Sequence, residues 1–314
     1  MKYVDMHCDT LTVCADNGLS VVSCGLQTDI EKLKKSGCAA QCFAVFTEGD
    51  GAASAFEKYI EFFGKHFGQN GILPPVTDAG KLKNILQNGG TGAILTVENL
   101  GFTGGDERAI RKLGTLGVKM ASLVWNFEND LAFSNLLWDA EGMPVFGRRE
   151  SRGLKPAGRS VAELLDELKI IIDISHLSDG GAGEILNGRK IPLVASHSNA
   201  AEVCNVSRNL TDDLIKKIAD CGGVIGVNFC KDFLGRGETF PLVEKHLRHI
   251  IDGGGEDVVA LGSDFDGIPA CPGIEDCTAL PALFDYLSHN GFGADVLEKF
   301  AYKNFLRVFE EVCG

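Results

Sequence analysis

The sequence predicts an α/β protein with a (β/α)8 TIM-barrel fold, in which residues 1–314 form one domain. Short apolar runs alternate with longer amphipathic stretches eight times along the chain. Several of the runs are almost entirely Val, Ile and Leu, as in Ile170-Ile171-Ile172, which is typical of parallel strands buried on both faces. Eight strand–helix repeats in 314 residues fit one closed barrel.

The predicted strands cover residues 3–9, 39–46, 92–98, 118–126, 170–176, 191–197, 222–229 and 258–264. The clearest predicted helices cover residues 28–36, 52–67, 161–168, 211–219 and 294–312, where apolar residues recur three and four apart. A doubly wound open sheet is the alternative fold. It is disfavoured, at least in its dinucleotide-binding form, because no GxGxxG motif follows the first predicted strand.

Residues 127–158 form the longest stretch without a clear period, and this segment is rich in Gly and Arg. Loops of this length within a barrel are usually lids or interface elements. The segment is therefore a candidate lid, or a candidate interface for a homodimer.

Composition narrows the classes of partner and the expected location. The net charge of -13 disfavours nucleic acid, because an acidic surface repels phosphate backbones. The eleven cysteines contain no CxxC pair, and neither a leader-like start nor an 18-residue apolar stretch is present. We therefore expect a cytoplasmic protein with reduced thiols and no membrane partner.

The candidate chemistry lies at the ends of the predicted strands. The first strand ends in His7-Cys8-Asp9, and residues two apart on a strand point to the same side. His and Asp on one side are suitable zinc ligands. The third strand ends in Glu98, a carboxylate that can bridge two cations. Each motif alone also fits an ordinary strand end.

Three further strands end in residues of the same kind. The fifth ends in Ser175-His176, the sixth in Ser196-His197, and the eighth in Asp264. In a barrel, these ends converge on the face where active sites lie. Five ligands exceed one tetrahedral zinc site, but they suit two metal ions that share Glu98. Asp264 is then placed to transfer a proton between the attacking water and a leaving amine.

With these residues, the sequence resembles the membrane (renal) dipeptidase family of zinc peptidases, which are amidohydrolase-like barrels. The matching segments, in the family's order along nearly the whole chain, are Asp5-Met6-His7-Cys8-Asp9, Val97-Glu98, Ile172-Asp173-Ile174-Ser175-His176, Ser196-His197-Ser198, Ser207-Arg208-Asn209 and Gly262-Ser263-Asp264-Phe265-Asp266-Gly267.

The resemblance implies two Zn2+ ions per chain, although another divalent metal can occupy such a site. It implies that His7 and Asp9 hold one ion, that His176 and His197 hold the other, and that Glu98 bridges them. It also implies that Asp264 is the acid–base residue.

The resemblance further implies that Arg208 binds the carboxylate of the substrate. A guanidinium matches a carboxylate through two parallel hydrogen bonds, which gives this role an independent physical reason.

The chain departs from the family pattern at one substrate-handling position. Some members carry a His near the end of the fourth strand, whereas this segment reads Leu123-Val124-Trp125-Asn126. Trp125 stands in that place and offers a single indole N–H donor. We therefore expect Trp125 and Asn126 to contact the substrate.

The predicted function is a metal-dependent dipeptidase, in which a hydroxide bridging two zinc ions attacks the peptide bond of a dipeptide. A metal hydrolase of another amide or of a lactone is an alternative, because fold and metal do not fix the substrate. A metal-binding barrel without catalytic activity, acting as a binding protein, is an alternative of a different class.

Overall fold

The computed structural model describes residues 1–67, 71–147 and 149–314. Its centre is a closed barrel of parallel strands, which confirms the predicted (β/α)8 fold. Residue 148, in the segment predicted to be a loop, lies outside the described residues. Within the described ranges, no helix is both long and apolar enough to cross a bilayer.

Eight strands close the barrel in the order β1-β2-β3-β4-β7-β8-β9-β10, and β10 returns to β1. Their bounds are β1 Tyr3–Cys8, β2 Cys38–Phe46, β3 Gly92–Glu98, β4 Met120–Ser122, β7 Ile171–Asp173, β8 Val194–Ala195, β9 Val224–Val227 and β10 Val259–Leu261. Strands β5 (Leu137–Trp138) and β6 (Pro144–Val145) form a separate antiparallel hairpin.

The helices between the strands are α1 Thr10–Asn17, α2 Ile30–Ser36, α3 Ala52–Phe67, α4 Ala79–Asn88, α5 Glu107–Leu116, α6 Pro156–Glu167, α7 Asp179–Leu186, α8 Asp212–Asp220, α9 Lys231–Leu234, α10 Thr239–Gly254, α11 Leu280–His289, α12 Ala294–Glu298 and α13 Asn304–Cys313. A single π turn, Lys299–Lys303, joins α12 to α13, so the predicted last helix contains a bulge.

Several sequence-based boundaries need correction. Most predicted strands are too long: only Met120–Ser122 of predicted residues 118–126 pairs in the barrel, because the apolar pattern continues into buried loops. The helix predicted at 161–168 begins earlier, at Pro156, which occupies a first-turn position that needs no N–H donor. The segment 127–158 thus contains regular secondary structure, namely the β5–β6 hairpin and the start of α6.

The C-terminal helix closes the end of the barrel away from the candidate site. The thiol of Cys313 in α13 contacts the carbonyl oxygens of Lys119 and Lys169, at 3.8 and 3.4 Å. These two residues come just before β4 and β7, so they mark the amino-terminal ends of the strands. Phe305 and Phe309 of α13 join a buried apolar cluster with residues of the strands. The opposite, carboxyl-terminal end of the barrel stays open.

Candidate metal centre and active site

The predicted site residues meet at the carboxyl-terminal end of the barrel. His7 is the last but one residue of β1, Asp9 immediately precedes α1, and Glu98 ends β3. His176 and His197 follow β7 and β8 in loops. All five side chains belong to residues at most 8% exposed. Five convergent ligand-type groups therefore lie in a region from which bulk water is largely excluded.

The carboxylate of Glu98 separates these side chains into two groups. Its Oε1 lies 3.1 Å from His176 Nε2 and 3.5 Å from His197 Nε2. Its Oε2 lies 3.6 Å from His7 Nε2, and that nitrogen is 3.3 Å from Asp9 Oδ2. Each oxygen of Glu98 thus faces a different histidine group.

Hydrogen bonds on the far side of the rings determine which ring nitrogen faces the centre. Ser196 Oγ donates to Asp173 Oδ2, so it accepts from His197 Nδ1 at 2.7 Å. His176 Nδ1 lies 2.8 Å from Asn126 Oδ1, which accepts a hydrogen bond from it. Both rings therefore carry their proton on Nδ1 and present a lone pair at Nε2.

These lone pairs require a positive partner. The two Nε2 atoms of His176 and His197 are 2.9 Å apart, and both face Glu98 Oε1. Glu98 Oε1 and His7 Nε2 are buried atoms without a hydrogen-bond partner in the described chain. Buried polar atoms that converge without hydrogen-bond partners are costly unless a cation binds them. The donor set, imidazole and carboxylate, fits zinc or a similar divalent ion.

Ligand atoms within 4.8 Å of one another also occur in two overlapping triplets. One triplet is His7, Glu98 and His197, and the other is His7, Asp9 and Asp264. His7 belongs to both, so the two candidate ligand groups share a residue. His176 joins through its contacts with Glu98 and His197.

Asp264 lies beside the His7 group and has a fixed orientation. Its Oδ1 is 3.7 Å from His7 Nε2, and its Oδ2 accepts a hydrogen bond from Asn228 Nδ2 at 2.9 Å. Asn228 is itself fixed, because its backbone N–H donates to Asn199 Oδ1 at 3.0 Å. One oxygen of Asp264 is therefore anchored while the other faces the centre.

Two of the site residues have unusual backbone conformations. His176 has φ = 67° and Asp264 has φ = 65°, in the left-handed region that residues other than glycine rarely adopt. Such conformations cost free energy and tend to be retained where they place a functional side chain. Here they turn two side chains inward just after β7 and β10 have ended.

Burial and mutual charge shift the pKa values of the site. Burial raises the pKa of Glu98 to about 8, against the lowering effect of His7. Burial likewise raises the pKa of Asp264 to about 6. Burial alone would lower the pKa of His7, but Glu98, Asp9 and Asp264 together raise it to about 10. The pKa values of His176 and His197 fall well below the ordinary value, chiefly because of burial. The two neutral imidazoles are thus available as ligands.

Arg208 enters the same cavity from the loop after β8. It is 2% exposed, and its two terminal nitrogens donate to Ser198 Oγ and to the carbonyl of His197, each at 3.2 Å. Its Nε is a buried donor without a partner in the described chain. Burial lowers the pKa of the guanidinium, opposed by Asp264 and Glu98. A buried cation with unused donor capacity suits an anionic ligand group.

A cavity of about 680 Å³ connects these groups with solvent. Glu98, His176, Arg208 and Asp264 contribute to its walls, together with Trp125 and Asn126. Trp125 packs edge-on against Phe46, with ring centroids 4.8 Å apart. Leu136, Pro144 and Phe146, around the β5–β6 hairpin, line the cavity as well. The volume suits a small molecule rather than a folded protein.

Sequence reasoning missed the layer that supports these side chains. The sequence assigns no role to Asn228, which lies in a predicted strand, or to Asp173 and Ser196 beyond their motifs. Asp173 accepts the backbone N–H groups of Ser175 and Ser196, each at 2.9 Å, and so ties together the two loops that carry the histidines. A polar residue at the end of an apolar run was the available signal.

The other histidines lie outside the centre. His246 is fully buried, accepts the backbone N–H of Ala200 and contacts the carbonyl of Leu234, both at 3.1 Å. His249 contacts Asp212 on the surface. Both have protein partners away from the cavity.

The profile of the membrane dipeptidase family, peptidase family M19, matches residues 1–313. This chain belongs to that family. The resemblance inferred from the strand-end motifs is therefore confirmed, and with it the assignment to the metallopeptidases. Family membership also implies a metal cofactor, in agreement with the converging acceptors described above.

Relatives of known sequence support the same assignment. An uncharacterized protein from the pqqA 5′ region of Klebsiella pneumoniae is 36% identical over 222 residues, which is 69% of this chain and 80% of that protein. An uncharacterized dipeptidase from Schizosaccharomyces pombe is 32% identical over 237 residues, covering 74% of this chain and 56% of that protein. The match thus spans little more than half of the yeast protein.

Two solved structures are similar over nearly their whole length. The dipeptidase AC, a metallopeptidase of family M19, superposes with a TM-score of 0.89 at 26% identity and covers 100% of this chain and 99% of its own. A metallopeptidase from Rhodobacter sphaeroides, bound to a phosphinate mimic of the dipeptide L-Ala-D-Ala, gives a TM-score of 0.88 at 25% identity, with 99% of each chain covered.

Proposed function

We propose that this chain is a dipeptidase that uses two divalent metal ions, zinc in the first place, to hydrolyse the peptide bond of dipeptides. The observation that carries the proposal is the orientation of the Glu98 carboxylate: one oxygen faces His176 and His197, and the other faces His7. In this arrangement, His7 and Asp9 would hold one ion, His176 and His197 the other, and Glu98 would bridge them.

When bound, the two ions would activate the attacking water and polarise the peptide carbonyl. The residues of the chain supply positioning and proton transfer. Asp264 would take the proton of the water on Oδ1 and pass it to the leaving amine, while Asn228 holds Oδ2. Because one oxygen stays anchored, the carboxyl group keeps its orientation through both transfers.

Arg208 would bind the carboxylate at the substrate's C-terminus. The guanidinium lies in the same cavity as Asp264 and Glu98, so a short substrate can span from it to the metal centre. Trp125 would form part of the wall beside the substrate. The phosphinate mimic of a dipeptide in the Rhodobacter sphaeroides relative supports a substrate of this length.

A panel of dipeptides tests the proposal, using protein stripped by a chelator and then given zinc again. We expect hydrolysis to return with the metal, and a parallel panel of lactones to give lower rates. The proposal is wrong if the zinc-loaded protein cleaves no dipeptide in the panel.

A matched pair of variants tests the role of Asp264. We expect Asp264→Asn to keep its metal ions and to lose about 100-fold or more in turnover, because general acid–base catalysis typically contributes that much. Asp232→Asn changes another carboxylate lining the same cavity and should retain activity. Equal turnover in the two variants would remove Asp264 from the proposed role.

A further inference from the structure

Asn126 lines the cavity, and its side chain also contacts His176, a candidate metal ligand. Its Oδ1 is 2.8 Å from His176 Nδ1, so the amide oxygen accepts a hydrogen bond from the ring N–H and the Nε2 lone pair faces Glu98 Oε1. A metal-binding histidine needs such a partner on its other nitrogen, because the partner fixes both the tautomer and the ring orientation. The prediction that Asn126 contacts the substrate did not include this bond.

The two histidines of this group have unequal support. His197 is held by Ser196 Oγ, which in turn donates to Asp173, and all three residues are at most 5% exposed. His176 follows β7 in a left-handed conformation, and its ring nitrogen is held by a residue on the cavity wall. The orientation of His176 is therefore more sensitive to its single side-chain partner than that of His197.

The β5–β6 hairpin, which also lines the cavity, holds the backbone of Asn126. The indole N–H of Trp138 donates to the carbonyl oxygen of Asn126 at 2.9 Å. Trp138 also stacks on Phe127, with centroids 4.6 Å apart and planes 7° from parallel. On the other side of Asn126, Trp125 packs against Phe46. Asn126 is thus held between two anchored aromatic residues.

We propose that Asn126 is a positioning residue for His176 and that Trp138 keeps Asn126 in place, so that the β5–β6 hairpin sets how tightly the His176–His197 group holds its metal ion. The chain of contacts runs from Trp138 through Asn126 to His176. The inference rests on the proposed metal centre but not on the identity of the substrate.

Metal affinity gives the first test, measured by competition between the protein and a coloured zinc chelator. We expect Asn126→Ala to weaken one of the two ions by about 10- to 100-fold, the usual effect of losing such a partner. Asn126→Asp keeps an acceptor and should stay within about threefold of the wild type. Trp138→Phe removes one partly exposed hydrogen bond and should weaken the same ion by about 2- to 10-fold.

Met143→Ala is the control for the hairpin, because Met143 is exposed and lies near β6. Its zinc affinity should equal that of the wild type. The proposal is overturned if Asn126→Ala binds both ions as tightly as the wild type, or if Asn126→Asp loses as much as Asn126→Ala. Equal effects of Met143→Ala and Trp138→Phe would remove Trp138 from the chain of contacts.

Nitrogen NMR of the metal-free protein gives a second test that needs neither metal nor substrate. We expect His176 to be protonated on Nδ1 in the wild type and to become a mixture of tautomers in Asn126→Ala. Protonation of His176 on Nε2 in the wild type would contradict the inference. A protein that passes these tests but cleaves no dipeptide would overturn the proposed function alone.

Discussion

Replacement of Arg208 tests how the site measures its substrate, and two variants separate charge from geometry. Arg208→Lys keeps the positive charge beside Asp264 and Glu98 but loses the planar fork. Arg208→Met loses both. In the described chain, the wild-type guanidinium donates two hydrogen bonds of 3.2 Å, and its Nε has no partner. It can therefore still donate hydrogen bonds to a substrate carboxylate.

The expected magnitude follows from the bonds at stake. A charge-assisted hydrogen bond contributes about 1.5–3 kcal/mol, so two bonds to a carboxylate contribute at least about 3 kcal/mol. Each 1.36 kcal/mol is tenfold in rate, which gives about 150-fold in kcat/KM. We therefore expect the wild type to prefer a dipeptide over its C-terminal amide by about 150-fold. Arg208→Lys should lose about half of that free energy, and Arg208→Met should hardly discriminate.

The assay is kcat/KM for one dipeptide and its C-terminal amide, measured for the wild type and both variants with the zinc content of each recorded. Zinc content matters because Arg208 also donates to the carbonyl of His197. A preference for the free acid that survives in Arg208→Met, at unchanged zinc content, would refute the reasoning. So would a fall that is equal for the acid and the amide.

Two further predictions concern close packing and a buried imidazole. A Cβ at Gly267 would lie 2.2 Å from Asp9 Oδ2 and 2.7 Å from Asp264 Oδ1, so Gly267→Ala must displace one of them. We expect Gly267→Ala to lose about 100-fold in kcat/KM. The control is Gly183→Ala in α7, which should retain activity because a Cβ there meets nothing within 4 Å. Burial lowers the pKa of His246 to about 4, so the unfolded chain takes up a proton first as the pH falls below about 6.5. Above that pH, His246 should not affect the free energy of unfolding, which should then fall by up to about 3 kcal/mol towards pH 4. Denaturant titrations of His246→Gln should show a shallower fall with pH. The same pH dependence in the variant and the wild type would contradict the lowered pKa of His246.

The sequence predicted the barrel because its strands are apolar runs buried on both faces. This pattern is recognisable even where the predicted strand lengths are wrong. It could not predict where pairing stops. The strand predicted at 170–176 continues to His176, yet Asp173 is the last residue of β7 and His176 turns inward with a positive φ. The β5–β6 hairpin was not predicted because strands of two residues carry no period.

The candidate ligands were visible in the sequence because they lie at or just after strand ends, and topology alone brings strand ends together. Most of their partners were not visible, because several of the supporting bonds join residues far apart in the chain. Asp173 holds Ser196, and Asn228 holds Asp264, across neighbouring strands whose register the sequence does not state. Asn126 shows the consequence: its position suggested a substrate contact, but its oxygen is used by His176.

Two of the left-handed residues, His176 and Asp264, lie where the barrel end would separate metal ligands from an acid–base group. A strand that continued to His176 or Asp264 would place successive side chains on alternating sides. Because the backbone instead turns at these residues, His176 Nε2 reaches Glu98 Oε1 from one side, and Asp264 Oδ1 approaches His7 from the other. Glu98 lies between them with one oxygen for each group. In the proposed function, the two left-handed turns separate the roles: one would place His176 among the metal ligands, and the other would leave Asp264 Oδ1 free to move a proton.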